Sequence, residues 1–139
     1  MATATQCHLT LQAETAADLM SRDVTPVPHH TPFEKILASL IDANATVAPV
    51  LGERGEPVGV ISLTDLAIHV RESAAAGRIV PATAETLMTP TLFAVGPDTP
   101  AAEVVQDMLR SKVHHLFVVD AGGTIMGVVS ACDVLRHLQ

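Results

Sequence analysis

At 139 residues and 14.6 kDa, with 48% hydrophobic content, the chain is long enough to fill one compact core or two small halves that share one. Eight Lys and Arg against fifteen Asp and Glu leave a formal net charge of −7, and aromatic residues are 2% of the chain. That balance opposes binding to phosphate backbones and to anionic bilayers, and it offers almost no platform for base stacking, so nucleic-acid and membrane partners are excluded as expectations.

The leading segment, residues 1–13, has neither a basic region nor a continuous apolar stretch, and no apolar run approaches the roughly eighteen residues of a membrane span. A cytoplasmic location is expected, with Cys7 and Cys132, which form no C-x-x-C pattern, as reduced thiols. A short helix is predicted at Ala16–Met20. Next, Thr31 reads as a cap, Pro32 as a first helical residue and Glu34 as the partner in a T-x-x-E capping box. Phe33, Ile36, Leu37, Leu40 and Ile41 follow at helical spacing. The runs VAPVLG and PVGVIS flank the turn ERGE and predict a hairpin, after which a helix begins near Ser62–Asp65. ESAAAGRIVPATA reads as a connection.

The same elements then recur. A short helix is predicted at Ala84–Met88, and Thr99-Pro100 opens a helix with Ala101, Val104, Val105, Met108 and Leu109 on one face. HLFVVD and IMGVVS flank AGGT, and a last helix starts near Ser130–Asp133. Gly59-Val60 and Gly127-Val128 stand 68 positions apart, and so do Leu19-Met20 and Leu87-Met88, Thr31-Pro32 and Thr99-Pro100, Ser62 and Ser130, and Asp65 and Asp133. One ungapped offset over more than forty residues marks a duplicated unit. The predicted organisation is a repeat at 14–71, a linker at 72–83 and a second repeat at 84–139, each strand, helix, strand, strand, helix behind a short leading helix, in the α+β class.

In order, spacing and duplication, LMSRDVTPV, TPFEKILASL and VAPVLGERGEPVGVISLTDL, with their second copies, resemble a tandem pair of cystathionine β-synthase (CBS) domains, or Bateman module. The resemblance covers roughly Ala16 to Leu138. It implies two CBS-type repeats packed about a pseudo-twofold axis, with up to two clefts between them for adenosine compounds. It also implies pairs that dimerise and regulate an enzyme or transporter.

Residue chemistry suits that reading. A ribose presents vicinal hydroxyls that a fixed carboxylate can accept, whereas phosphate oxygens seek hydroxyl and backbone N–H donors at a helix start. Asp65 and Asp133 fit the first role. Ser62 and Ser130 fit the second, and Thr64 is counted among the ligand-binding residues without an assigned role. S-x-x-D ahead of an apolar run is equally a capping box that serves the helix alone. His114 and His115, with Arg110 and Lys112 nearby, bring local positive character that Thr46-Val47 lack in the first repeat, so the expected phosphate-competent site pairs Ser62 and Asp65 with a histidine from the other repeat. With three Phe in the chain and Phe33 placed in a helix core, the expected adenine walls are Val24, Val47 and Ala48 in one half and Leu92, His115 and Leu116 in the other.

The His29-His30, His114-His115 and Cys7-His8 pairs have neither i, i+4 spacing nor a C-x-x-C partner, so no metal site is expected. No nucleophile, base and orienting group fall together, and no Walker pattern occurs, so the chain is not expected to be an enzyme. The leading expectation is a regulatory module that binds AMP, ADP, ATP or another adenosine compound, requires no cofactor and forms a homodimer that modulates an unidentified enzyme or transporter. The alternative is a ligand-free CBS-like dimerisation scaffold.

Overall fold

The structure, a computed structural model, describes residues 9–139. Cys7 and His8 therefore lie outside the described residues. Among the described residues twelve elements follow one another in two similar series. The first is α1 (Ala16–Leu19), β1 (Val27–Pro28), α2 (Phe33–Asp42), β2 (Val47–Leu51), β3 (Pro57–Ser62) and α3 (Leu63–Ala75). The second is α4 (Ala84–Leu87), β4 (Ala94–Val95), α5 (Ala101–Ser111), β5 (His115–Val119), β6 (Ile125–Ser130) and α6 (Ala131–Arg136). Each series builds a three-stranded sheet, β1-β2-β3 and β4-β5-β6. β1 runs parallel to β2, and β2 pairs antiparallel with β3 in a register that sets Val47 opposite Ser62 and Ala48 opposite Ile61. Both hairpin turns carry a glycine at positive φ, Gly55 at 79° and Gly123 at 85°, a conformation that side chains with a Cβ resist.

The chain divides into two compact units. Among the described residues, one gathers 9–22 with Ala94–Gly122 and Met126–Gln139; the other is Asp23–Phe93 with Gly123–Ile125. The leading helix of each repeat is thus packed with the sheet of the other repeat. Ala84 of α4 is buried among Val27, Phe33, Ile36, Leu40, Val50 and Ile61, which form the core of the first-sheet unit. Ala16 and Leu19 of α1 are buried among Val104, Met108, Leu116, Val118 and Val129 in the second-sheet unit. The two cores use equivalent positions with the bulk exchanged: Phe33 and Ala48 in one stand where Ala101 and Leu116 stand in the other. Large then small in one core, and small then large in the other, keeps both volumes similar, the kind of substitution a packed interior tolerates.

The exchange explains a correction to the helix starts. Thr31 and Thr99 cap nothing, and Pro32 and Pro100 sit before their helices in extended backbone without a side-chain cap. The Thr31 carbonyl accepts from Ala84 N at 2.9 Å, and Phe33 N donates to Ala82 O at 2.9 Å. In the second-sheet unit Thr99 O accepts from Ala16 N at 2.8 Å, and Ala101 N donates to Glu14 O at 2.9 Å. Pairing with the segment that enters α4 or α1 satisfies these donors, so the expected T-x-x-E box has no work to do.

The connection between the repeats begins inside a helix. α3 continues through Glu72–Ala75, so the non-helical connection starts at Ala76, and Gly77 turns it at φ 77°. Ser73 and His69 hold the returning chain: Val80 N donates to Ser73 Oγ at 3.0 Å, and His69 Nε2 donates to Val80 O at 2.7 Å. His69 is buried and its ring lies 4.9 Å from that of Phe33, so the connection is fastened to the first core. Among the described residues no helix is long and apolar enough to cross a membrane.

Candidate functional site

In each unit the last strand runs directly into a helix, and the residue at the junction is a serine. Ser62 holds extended backbone (φ −122°, ψ 166°), and Ser130 does the same (φ −102°, ψ 166°). This geometry turns their side chains toward the unpaired N–H groups of the first helical turn. Asp65 N donates to Ser62 Oγ at 3.2 Å, while Asp65 Oδ2 accepts from Ser62 N at 2.8 Å and from Ser62 Oγ at 3.0 Å. Ser130 and Asp133 repeat the arrangement at 3.1, 2.8 and 2.9 Å. The capping box is therefore closed in both repeats. Each serine hydroxyl has one hydrogen and gives it to the aspartate, so neither can donate to a phosphate while its cap is closed.

What the caps leave over differs between the two junctions. At the first, the remaining oxygen of Asp65 has no partner among the described residues, and Asp65 is half-buried. Thr64, one residue before it, is exposed and its hydroxyl has no partner among the described residues. A helix start with a spare carboxylate oxygen and a spare hydroxyl side by side can accept from a diol and donate to an anion. At the second junction the place of Thr64 is taken by Cys132, an exposed free thiol, and Asp133 is buried with its Oδ1 3.4 Å from Arg136 Nη1.

The remaining predicted residues distribute as follows. Thr46 O accepts from Leu63 N at 3.0 Å, and His114 O accepts from Ala131 N at 3.1 Å, so the strand start lies beside the helix start in each unit. Val47 is therefore grouped with Ser62, Thr64 and Asp65, and His115 with Ser130 and Asp133. His114 is exposed; His115 is half-buried, and burial holds its imidazole below the ordinary histidine range, aided by His114 and opposed by Asp133. The direction of that shift works against the positive character expected of His115. Val24 and Leu92, equivalent in the repeat, are half-buried. Ala48 (0% exposed) and Leu116 (2%) belong to the two cores and have no side-chain surface to offer a ligand in this conformation.

Sequence reasoning missed Arg136. The signal was present in the spacing, since Asp133 and Arg136 stand at i, i+3 on one helix face, where an ion pair forms, whereas Asp65 has Ile68 at that position. It also missed an apolar cavity of about 540 Å³ in the second-sheet unit, lined by Val105, Met108, Leu109, Val113, Val134 and Leu135 of α5, α6 and the adjoining loop. Leu109 is 74% exposed and Leu135 64%.

The family model for the CBS domain matches twice, at residues 16–72 and 84–139. The chain belongs to the CBS domain family. It is 30% identical over 122 residues to the 5'-AMP-activated protein kinase subunit gamma-3 of Homo sapiens, a match that covers 84% of this chain and 25% of that one. The CBS pair thus spans about a quarter of the length of these curated relatives. Among solved structures, CBSX2 in complex with AMP superposes with a TM-score of 0.73 at 25% identity, covering 89% of this chain and 95% of that one. The cytosolic domain of the Mg2+ channel MgtE in complex with ATP superposes with a TM-score of 0.73 at 28% identity, covering 88% and 48%.

Proposed function

We propose that this CBS pair is a regulatory module that binds an adenine nucleotide, AMP, ADP or ATP, and passes the bound state on to a partner enzyme or transporter. The observation that carries the reading is the spare oxygen of Asp65 beside the spare hydroxyl of Thr64 at the start of the thirteen-residue helix α3. Asp65 accepts from the ribose hydroxyls. The Thr64 hydroxyl and the Thr64 amide face phosphate, where the positive end of the helix favours an anion, while the Leu63 and Asp65 amides stay with Thr46 O and Ser62 Oγ. Ser62 serves the site indirectly, by holding the Asp65 carboxylate through two hydrogen bonds. Val24, Val47 and Leu92 supply aliphatic surface for the base. The relatives that carry AMP or ATP support the ligand class, and the kinase subunit and the channel domain support a regulatory setting.

The test is a thermal-shift panel of AMP, ADP, ATP and S-adenosylmethionine, with ribose 5-phosphate as a control for phosphate and ribose alone. A ligand at a hundred times its Kd adds about 2.7 kcal/mol, which is several degrees of Tm for a chain of this length. A rise with an adenosine compound that exceeds any rise with ribose 5-phosphate is expected. No rise with any of them hands the decision to the scaffold reading.

One observation favours an assembly role beside ligand binding. The cavity between α5 and α6 leaves Leu109 and Leu135 largely in water, and apolar surface of this kind marks association. We propose a second copy of the chain as its occupant, giving the homodimer.

A further inference from the structure

We propose that the two repeats are unequal ribose acceptors and that Arg136 makes them so. The inference rests on the proposed nucleotide-binding role and names the residue that sets which aspartate is used. Both aspartates close the same cap with one oxygen, so a ribose meets the other oxygen of each. That of Asp65 has no partner among the described residues. That of Asp133 accepts from Arg136 Nη1 at 3.4 Å, and the Asp133 side chain is 12% exposed. A ribose arriving at Asp133 must displace the guanidinium before either hydroxyl can be accepted, whereas Asp65 requires no such exchange.

The asymmetry has a cause in the sequence. Position 136 is the equivalent of position 68, where the first repeat carries isoleucine, which cannot pair with a carboxylate. Other groups near Asp133 do not remove the preference. Burial and His114 lower the His115 pKa against the opposing pull of Asp133, which weakens its claim on that carboxylate, and His137 Nδ1 is directed to the Asp133 carbonyl at 2.8 Å rather than to the carboxylate. Arg136 itself is 75% exposed, so the pair is a half-solvated one, and its competition with a ligand is bounded at about fivefold in affinity.

Calorimetric titration of AMP into the full chain and three variants tests the proposal. In wild type the tighter binding belongs to Asp65. Asp65→Asn therefore weakens it by about tenfold or more, as expected when a charge-assisted hydrogen bond is lost, while Asp133→Asn changes it by less than about twofold. In the Asp65→Asn background, adding Arg136→Ile strengthens the residual binding by up to about fivefold. Equal losses in Asp65→Asn and Asp133→Asn overturn the inequality. No gain from Arg136→Ile overturns the role of Arg136, and a further loss shows instead that Arg136 contacts the ligand. A wild-type chain that binds no adenosine compound at all overturns the nucleotide reading and this inference with it, an outcome distinct from two equal sites. Circular dichroism of each variant separates a lost site from a lost fold.

Discussion

Gly59→Ala should cost the protein about 2–3 kcal/mol of stability although it adds a single methyl group. A Cβ at Gly59 falls 2.5 Å from the Thr89 carbonyl oxygen and 2.7 Å from Met88 Sδ. The sulfur sits at the end of a flexible side chain and can swing away. The carbonyl cannot, because Val60 N donates to it at 3.0 Å while Thr89 N donates to Val60 O at 2.9 Å. Carbon and oxygen approach to about 3.3 Å at closest, so the two backbones must part by about 0.8 Å, which stretches both bridging bonds beyond useful length. Two such bonds are worth about 1 kcal/mol each and overpacking adds about 1 kcal/mol or more, against a gain of about 0.4–1 kcal/mol from a less flexible unfolded chain. For 139 residues this lowers Tm by roughly 6–12 °C. Urea denaturation should show the same loss as a lower midpoint at unchanged slope. Gly96→Ala is the internal control: its nearest neighbour is Thr99 Oγ1 at 3.8 Å and its φ is not positive, so it should be neutral or slightly stabilising. A Gly59→Ala protein as stable as wild type would refute the packing of the post-α4 segment on β3.

Three further outcomes are expected. Ser62→Ala and Ser130→Ala should each lose about 1 kcal/mol without any ligand, because each removes a closed cap; chemical denaturation checks this, and unchanged midpoints contradict the capping geometry. His115 has a folded pKa below its unfolded value, so the unfolded chain binds more protons as pH falls from about 6.5 toward the folded pKa, and stability is lost through that window. Tm measured against pH should therefore fall less steeply in His115→Gln than in wild type, and parallel curves would contradict the buried neutral imidazole. Leu109→Asp or Leu135→Asp should convert a dimer to a monomer in sedimentation velocity, and a wild-type monomer at micromolar concentration removes the proposed assembly.

Much of the fold was legible because its signals are local. Alternating β-branched runs around ERGE and AGGT located β2, β3, β5 and β6, and S-x-x-D marked both helix starts. The end of the helix that starts at Ser62 was not marked by any local signal, and α3 extends to Ala75 through residues that favour helix. The failed caps at Thr31 and Thr99 have a different origin: the partners of those backbones come from about fifty and eighty residues away in sequence, through Ala84 and Ala16, and no local pattern announces them. At the candidate site the aspartates were visible as chemistry. Their inequality was not, because it depends on whether the second oxygen is already paired, and that follows from Arg136 at one helix face and Ile68 at the other.

An amide-resolved NMR titration of the labelled chain with AMP tests the central claim most directly. Saturable shifts are expected that include the amides of Leu63, Thr64 and Asp65, with their loss in Asp65→Asn, whose unliganded spectrum otherwise matches wild type. Saturable binding that leaves these amides unmoved, or no saturable shift with AMP, ADP or ATP, would contradict it.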